Sequence, residues 1–244
     1  MLQLKWYNYI LFIAVISSIC LLLSFTSSRH NNLACKSFTV DLGNESTSLI
    51  TIDEVNFLIE NIVDSIRTIP IKNIPLFEIE QNLEEHTMIK NAEAYLDPNG
   101  FLKVQVQTKE PVVRVRNFDQ NDFYLTNKGE KFSISKNYTP RLLMANGNIK
   151  DSLDLAQVLA LSNIINGNEF LKSQIIQIYF KENKEIELIP RVGSHVFLLG
   201  TAENMEDKFD NLSLFYKSGV QQTGWNKYKE INLKYKDQIV CVKR

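Results

Sequence analysis

Three cysteines, three histidines, six prolines and nine glycines in 244 residues leave little material for several common chemistries. Cys20, Cys35 and Cys241 cannot make a disulfide framework, since an odd set so widely spaced reads as free thiols. His30, His86 and His195 stand at metal-ligand spacing neither from one another nor from a cysteine, so no zinc site is signalled. There is no Gly-x-Ser-x-Gly, no phosphate-cradling glycine-rich loop and no cysteine in a catalytic context. Ser194 and His195 are adjacent, which on a strand sends their side chains to opposite faces. Glu84 with Glu85 and Glu185 with Glu187 read as solvated surface. Charge lacks a bias too: 27 basic against 28 acidic residues give a net charge of −1, with no basic stripe for nucleic acid. The sequence therefore predicts no catalytic, cofactor-binding or metal-binding residues, and no enzyme.

What the chain does have is one long hydrophobic run. Lys5 is the only charged residue before Arg29, so 6–28 is an uncharged stretch of 23 residues. A bilayer core of about 30 Å needs roughly 20 helical residues. The reading is a cytoplasmic tail over 1–7, a transmembrane helix over 8–28 and an outside part from Arg29 onward. Trp6, Tyr7 and Tyr9 suit the inner interface. A cleaved signal peptide is the second reading, with Ser24, Thr26, Ser27 and Ser28 as small residues, although the run is long for one. A lipoprotein would have to use Cys35 after Ala34, but Asn32 stands where a leucine-like residue is expected.

The outside part opens on a regular pattern. Phe38-Thr-Val-Asp-Leu42 alternates as a strand. Thr51-Ile-Asp-Glu54 matches a capping box, followed by Val55, Leu58, Ile59, Ile62 and Ile66 at helical spacing. The proline-flanked 69–75 segment breaks this helix, and a second begins near Pro75 with Leu76, Ile79 and Leu83 inward and Glu84 and Glu85 near its end. Ala92, Ala94 and Leu96 alternate into the Asp97-Pro-Asn-Gly100 turn. Leu102, Val104 and Val106 return as the next strand, with Lys103, Gln105 and Gln107 outward. The order is strand, helix, helix, strand, strand.

Further on, Asp151 caps a helix carrying Leu155, Val158, Leu159 and Ile165, closed by Gly167. Ile176, Ile178 and Phe180 alternate as a strand; 186–189 and 195–199 are two more. Met205, Phe209, Leu212 and Phe215 mark a helix stopped near Gly219, and 231–235 and 239–242 are the last strands. Ordinary core packing accounts for most of these apolar residues.

This order, with the stretch 89–111, resembles a POTRA domain. Lys109-Glu-Pro111, the 112–116 segment, Tyr124-Leu-Thr126 with the hairpin 123–131, and the segment 135–143 follow. Phe197-Leu-Leu-Gly200, Lys208 with Leu212, and Ile231-Asn-Leu-Lys-Tyr235 come after them. In this order they are similar to the FtsQ (DivIB) family of cell-division proteins in its Bacteroidetes-type form. Thr126 departs from the family's usual Asp, and Asn232 and Lys234 from its Asp and Arg. The resemblance implies an α+β fold: a transmembrane helix, a POTRA domain (β-α-α-β-β) over 36–110, then a mixed β-domain with flanking helices over 111–244. It implies a divisome scaffold at the septum, in the inner membrane with its C-terminus periplasmic, that acts on septal peptidoglycan synthesis through protein contacts. Its partners would be FtsB/DivIC-like and FtsL-like bitopic proteins, with FtsW and FtsI synthases reached indirectly. A membrane-tethered periplasmic wall enzyme and a POTRA-containing outer-membrane assembly or secretion factor are the alternatives. The expected partner-binding residues are Ile231, Leu233, Lys234, Tyr235, Val240 and Val242, on the premise that 231–235 forms an unpaired sheet edge.

Overall fold

A computed structural model describes residues 2–31, 34–63, 66, 69–119, 121–217 and 227–244. Helix α1 spans Leu2–Asn31, and within it the side chains of 6–7 and 9–22 are described. Among the described residues no helix is long and apolar enough to cross a membrane. The chain divides into two compact units, 1–108 and 109–244.

The first unit contains β1 (Phe38–Asp41), α2 (Ile52–Ile62), α3 (Leu76–Glu84), β2 (Ile89–Leu96) and β3 (Leu102–Thr108). Thr51 caps α2 as the sequence predicts: its hydroxyl accepts from the Glu54 amide at 3.2 Å, and the Glu54 carboxylate accepts from the Thr51 amide at 3.0 Å. Val55 and Ile59 face inward with no exposed area. Ile66 is buried but lies beyond α2, because Val63 takes an extended backbone and ends the helix. The three strands pair in the order β1-β3-β2.

The hairpin between β2 and β3 is held by Asp97, whose carboxylate accepts from the Asn99 and Phe101 amides. Gly100 at φ 83° turns the chain where a side chain would be strained. Ala94 stands opposite Val104 and Ala92 opposite Val106. Leu102, Val104 and Val106 face the core while Lys103, Gln105 and Gln107 stay outward. Cys35 is buried in the same core, and its thiol donates to the Ser37 carbonyl at 3.3 Å. All three cysteines are free.

The second unit runs β4 (Pro111–Arg116), β5 (Asp122–Thr126), β6 (Lys131–Ser133), β7 (Leu143–Gly147), α4 (Ser152–Gly167), α5 (Glu169–Gln174), β8 (Ile175–Phe180), β9 (Ile186–Pro190), β10 (Val196–Gly200), α6 (Met205–Phe215), β11 (Tyr228–Asn232) and β12 (Val240–Lys243). Nine strands make one mixed sheet in the order β12-β11-β10-β9-β8-β7-β4-β5-β6. Hairpins join antiparallel neighbours, whereas α4 with α5 and α6 provide the crossovers to the parallel pairs β7/β8 and β10/β11.

One face of the sheet buries Val113, Val115, Ala145, Ile178, Leu188, Phe197 and Ile231 against Val158, Leu161, Ile165, Leu171, Phe209 and Leu212 of the helices. The opposite face is mixed: Tyr124 and Phe132 are buried against each other at one end, and polar pairs lie elsewhere. There Gln177 donates to Asn146 at 2.9 Å and Lys181 pairs with Glu187 at 2.8 Å. Asp122 sits between Arg114 and Arg116 on that face. Arg116 above all, with Arg114 adding to it against the opposing effect of burial, holds the Asp122 carboxyl at about 2.

Several local expectations shift. A bulge between Ile175 and Gln177 puts Ile175 into the core, so Ile176 faces outward instead of inward. The sequence reading lacks α5; Asn168 starts it by accepting from the Leu171 amide, directly after α4. Asp151 caps α4 as expected, and Asp154 returns the bond to complete a capping box. Burial raises the Asp154 pKa, but Lys184 at 2.7 Å and the amides of Lys150 and Asp151 outweigh it, and the net shift is downward. The predicted helix stop near Gly219 lies outside the described residues. Thr126, the departure from the family's Asp, serves the β5–β6 turn: its hydroxyl accepts from the Lys128 and Glu130 amides.

Candidate functional site

A nine-stranded open sheet has two edges, and edges are where a second chain can pair. One edge here is β6, three residues long, with Lys131 placed over the Phe123 ring at 5.2 Å. A short strand with a lysine blunts pairing. The other edge is β12, which among the described residues pairs only with β11.

The premise that 231–235 is the free edge is therefore corrected. Strand β11 covers 228–232 and is paired on both sides, parallel to β10 and antiparallel to β12. Ile231 and Leu233 are core residues, 1% and 2% exposed. The Leu233 amide donates to the Leu198 carbonyl at 2.9 Å, so this backbone is also engaged. The pattern apolar–polar–apolar reads identically for a strand bounded by neighbours and for one at an edge, which is why the sequence placed the edge one strand too early.

The remaining candidates do gather near the edge. Val240 and Val242 stand opposite Asn232 and Glu230 and are exposed on the face of the sheet away from the helices, while Cys241 between them packs toward the helices. Burial raises the pKa of its thiol. Tyr235 is half exposed in the turn between β11 and β12. Lys234 is less available. Its amide donates to the Asn232 side chain, its methylenes lie against Gly200, and its ammonium pairs with Glu185 at 2.9 Å.

Beside that turn a small cavity of about 170 Å³ is lined by Lys208, Asp207, Leu233 and Tyr235 among others. Lys208 is nearly buried and donates to the Thr201 carbonyl at 2.8 Å; burial lowers its pKa. This lysine ties the start of α6 to the end of β10 and so braces the support on which β11 lies.

Backbone polarity along β12 follows from one bond. The Arg244 amide donates to the Lys227 carbonyl at 3.2 Å, toward β11. Alternation along the strand then turns the Val242 and Val240 amides the same way and those of Cys241 and Lys243 outward. An outward backbone N–H such as that of Lys243 carries no side-chain signal, so sequence patterning does not single it out. The Arg244 side chain anchors the strand end by donating to the Ser194 carbonyl and hydroxyl. Ser194 is exposed and occupied in this way, whereas His195 is buried edge-on against Phe197, centroids 5.0 Å apart. Among the described residues no group of three or more His, Cys, Asp or Glu could hold a metal ion.

Comparison with known families fits this architecture. A family model described as FtsQ/DivIB, C-terminal related, matches residues 110–242, more than half of the chain. The chain belongs to the FtsQ/DivIB family. A POTRA-like domain model matches residues 33–107, the stretch that folds as the β-α-α-β-β unit. No curated protein matches the chain. FtsQ/DivIB membership implies a role in cell division, in a family that is generally non-enzymatic.

Proposed function

We propose that this FtsQ/DivIB-type chain is a non-enzymatic divisome scaffold that captures an FtsB/DivIC-like bitopic partner on the outer edge of β12. Through it the chain holds an FtsL-like protein and acts on FtsW and FtsI synthases indirectly, at the septum. The observation that carries this reading is the unmatched edge: β12 ends the sheet, with two exposed valines on one face and outward amides at Cys241 and Lys243. An incoming strand gains main-chain bonds from the edge and side-chain contacts from Val240 and Val242. Tyr235 adds an aromatic anchor at the turn, a residue type enriched at binding hot spots.

The same proposal places α1 in the inner membrane, with the N-terminus cytoplasmic and both units periplasmic. Its support is the uncharged 6–28 run and the exposure of Ile10, Phe12, Ile13, Leu21 and Leu22, all 59% or more, around a single helix. Large apolar side chains on every side of a helix call for an apolar surrounding.

Lys243→Pro tests the edge directly, since it deletes an outward amide while leaving β11 pairing and the core untouched. Co-purification of the FtsB/DivIC-like partner is expected to fall at least tenfold, with Val242→Glu giving a similar loss and the melting temperature nearly unchanged. Full partner recovery by folded Lys243→Pro overturns the docking edge. For the anchor, alkaline carbonate should leave the protein in the membrane pellet, and a soluble shortened product starting near Ser27 would overturn it. Depletion should give filamentous cells with normal wall composition; an altered wall chemistry would favour a tethered enzyme.

A further inference from the structure

The geometry points to a second docking site on the C-terminal unit, a cationic groove that takes a short acidic, partly apolar peptide segment of a partner protein. It goes beyond the scaffold reading, does not depend on β12, and lies where β4, β7 and β8 begin. The groove encloses about 540 Å³, inside the ~300–1,000 Å³ range of pockets that hold small ligands, room for a few residues of peptide.

Its composition is one-sided. Val112, Leu143, Ile165 and Ile175 give it an apolar floor, and Arg141, Lys172 and Arg191 stand exposed on its wall. Among the described residues no aspartate or glutamate lines it. A fourth cation, Arg114, reaches the groove but is already matched by Asp122. Among the described residues, Arg141, Lys172 and Arg191 take part in no ion pair. Three uncompensated cations around one apolar cleft stand out in a chain whose net charge is −1. Low-dielectric walls of one sign concentrate the field on the opening and draw in the opposite charge.

The groove is also held in shape. The Arg191 side chain donates through Nε to the Ser173 carbonyl at 2.9 Å, which fixes the guanidinium while leaving its terminal nitrogens for a carboxylate fork. The Asn166 amide donates to the Val112 carbonyl at 2.9 Å and joins the end of α4 to β4. A bare phosphate would use the rim and leave the apolar floor wet; a peptide alternating Glu with Leu uses both. Strands β9, β10 and β11 separate β8 from β12, about 19 Å at ~4.8 Å per strand, so the two sites can be filled together.

Fluorescence anisotropy on the full chain in detergent tests this, with a labelled octapeptide of alternating Glu and Leu as probe. Saturable binding is expected, weakened at least tenfold by the triple variant R141E/K172E/R191E and reduced on going from low to high salt. Replacing every Glu of the probe by Gln should abolish binding, a comparison that requires no protein variant. Val242→Glu should leave the probe affinity unchanged while it removes the β12 partner, so failure of either site is read separately. Absence of probe binding, equal binding by the triple variant, or equal binding of a Lys/Leu peptide overturns the inference. So does displacement by equimolar inorganic phosphate, which assigns the groove to small anions. Binding to phosphatidylglycerol vesicles that depends on the same three residues assigns it to a membrane surface and equally overturns the peptide.

Discussion

The two units solve the same problem, covering one face of a sheet with helices, at different scales. The first has three strands, and its hairpin alternates so regularly that Ala92, Ala94, Leu102, Val104 and Val106 are all buried and their neighbours are not. Its single register shift lies at the start of β2; the second unit has nine strands, register shifts in β4, β8, β10 and β11, and three parallel pairings that need long crossovers. A small sheet can be specified by local alternation. A large mixed sheet needs a few positions where backbones from distant segments meet, and it leaves edges at its ends. Stability in the first unit is therefore expected to be spread over many side chains. In the second, single backbone sites matter more.

The sharpest break of this comparison is Gly147→Ala. Gly147 ends β7 at φ 97°, and a Cβ there would come 2.2 Å from the Phe180 carbonyl oxygen on β8. Backbone cannot swing aside as a side chain can, so the substitution should cost more than about 3 kcal/mol. Hydrogen exchange read by peptide should show loss of protection across 143–180 with 89–108 unchanged. Uniform loss in both units would erase the contrast.

Val104→Ala is the counterpart in the first unit and should cost about 1–3 kcal/mol, the usual range for shortening a buried valine. Here protection falls in 89–108 and holds in the second unit. Gln105→Ala, on the opposite face of the same strand, should shift the denaturant midpoint hardly at all. Equal destabilisation by both would put the strand out of register by one residue.

A smaller effect separates the units by pH. Asp122 ionises at about 2 in the folded chain against an ordinary 3.8, with Arg116 the main cause. A depressed carboxylate contributes stability that is complete above the unfolded value and is lost as pH falls through the folded one. With part of the pair in contact with solvent, the second unit should lose about 1–2 kcal/mol between pH 4 and 2 from this site. Urea unfolding of the wild type and Asp122→Asn across that window measures it: the variant should be weaker at pH 6, and the gap should shrink steeply towards pH 2 and close below it.

Local chemistry made much of the molecule legible. The Thr51 capping box, the Asp97–Gly100 turn and the alternation of β3 each depend on residues within a few positions of one another. The order of segments, including Lys109-Glu-Pro111 and Phe197-Leu-Leu-Gly200, carried the family. Less was legible at the open sheet edge. Of the six residues expected there, Val240 and Val242 are exposed on β12 and Tyr235 in the turn before it, Lys234 is held by Glu185, and Ile231 and Leu233 are core. Short alternating strands at 231–235 and 239–242 look alike in sequence, and hydrophobicity says which face is buried without saying which strand lies outermost.

The sequence by itself determined the uncharged run before Arg29 and the β-α-α-β-β order, because both are written in spacing along the chain, and it carried the family as a resemblance in the order of its motifs. Only the tertiary structure decided that β12 and not β11 is the open edge, that Gly147 lies against the Phe180 backbone, and that Arg141, Lys172 and Arg191 meet at one groove. Those facts depend on which distant segments become neighbours, a property set by the packing of the whole sheet and encoded in no single stretch of it.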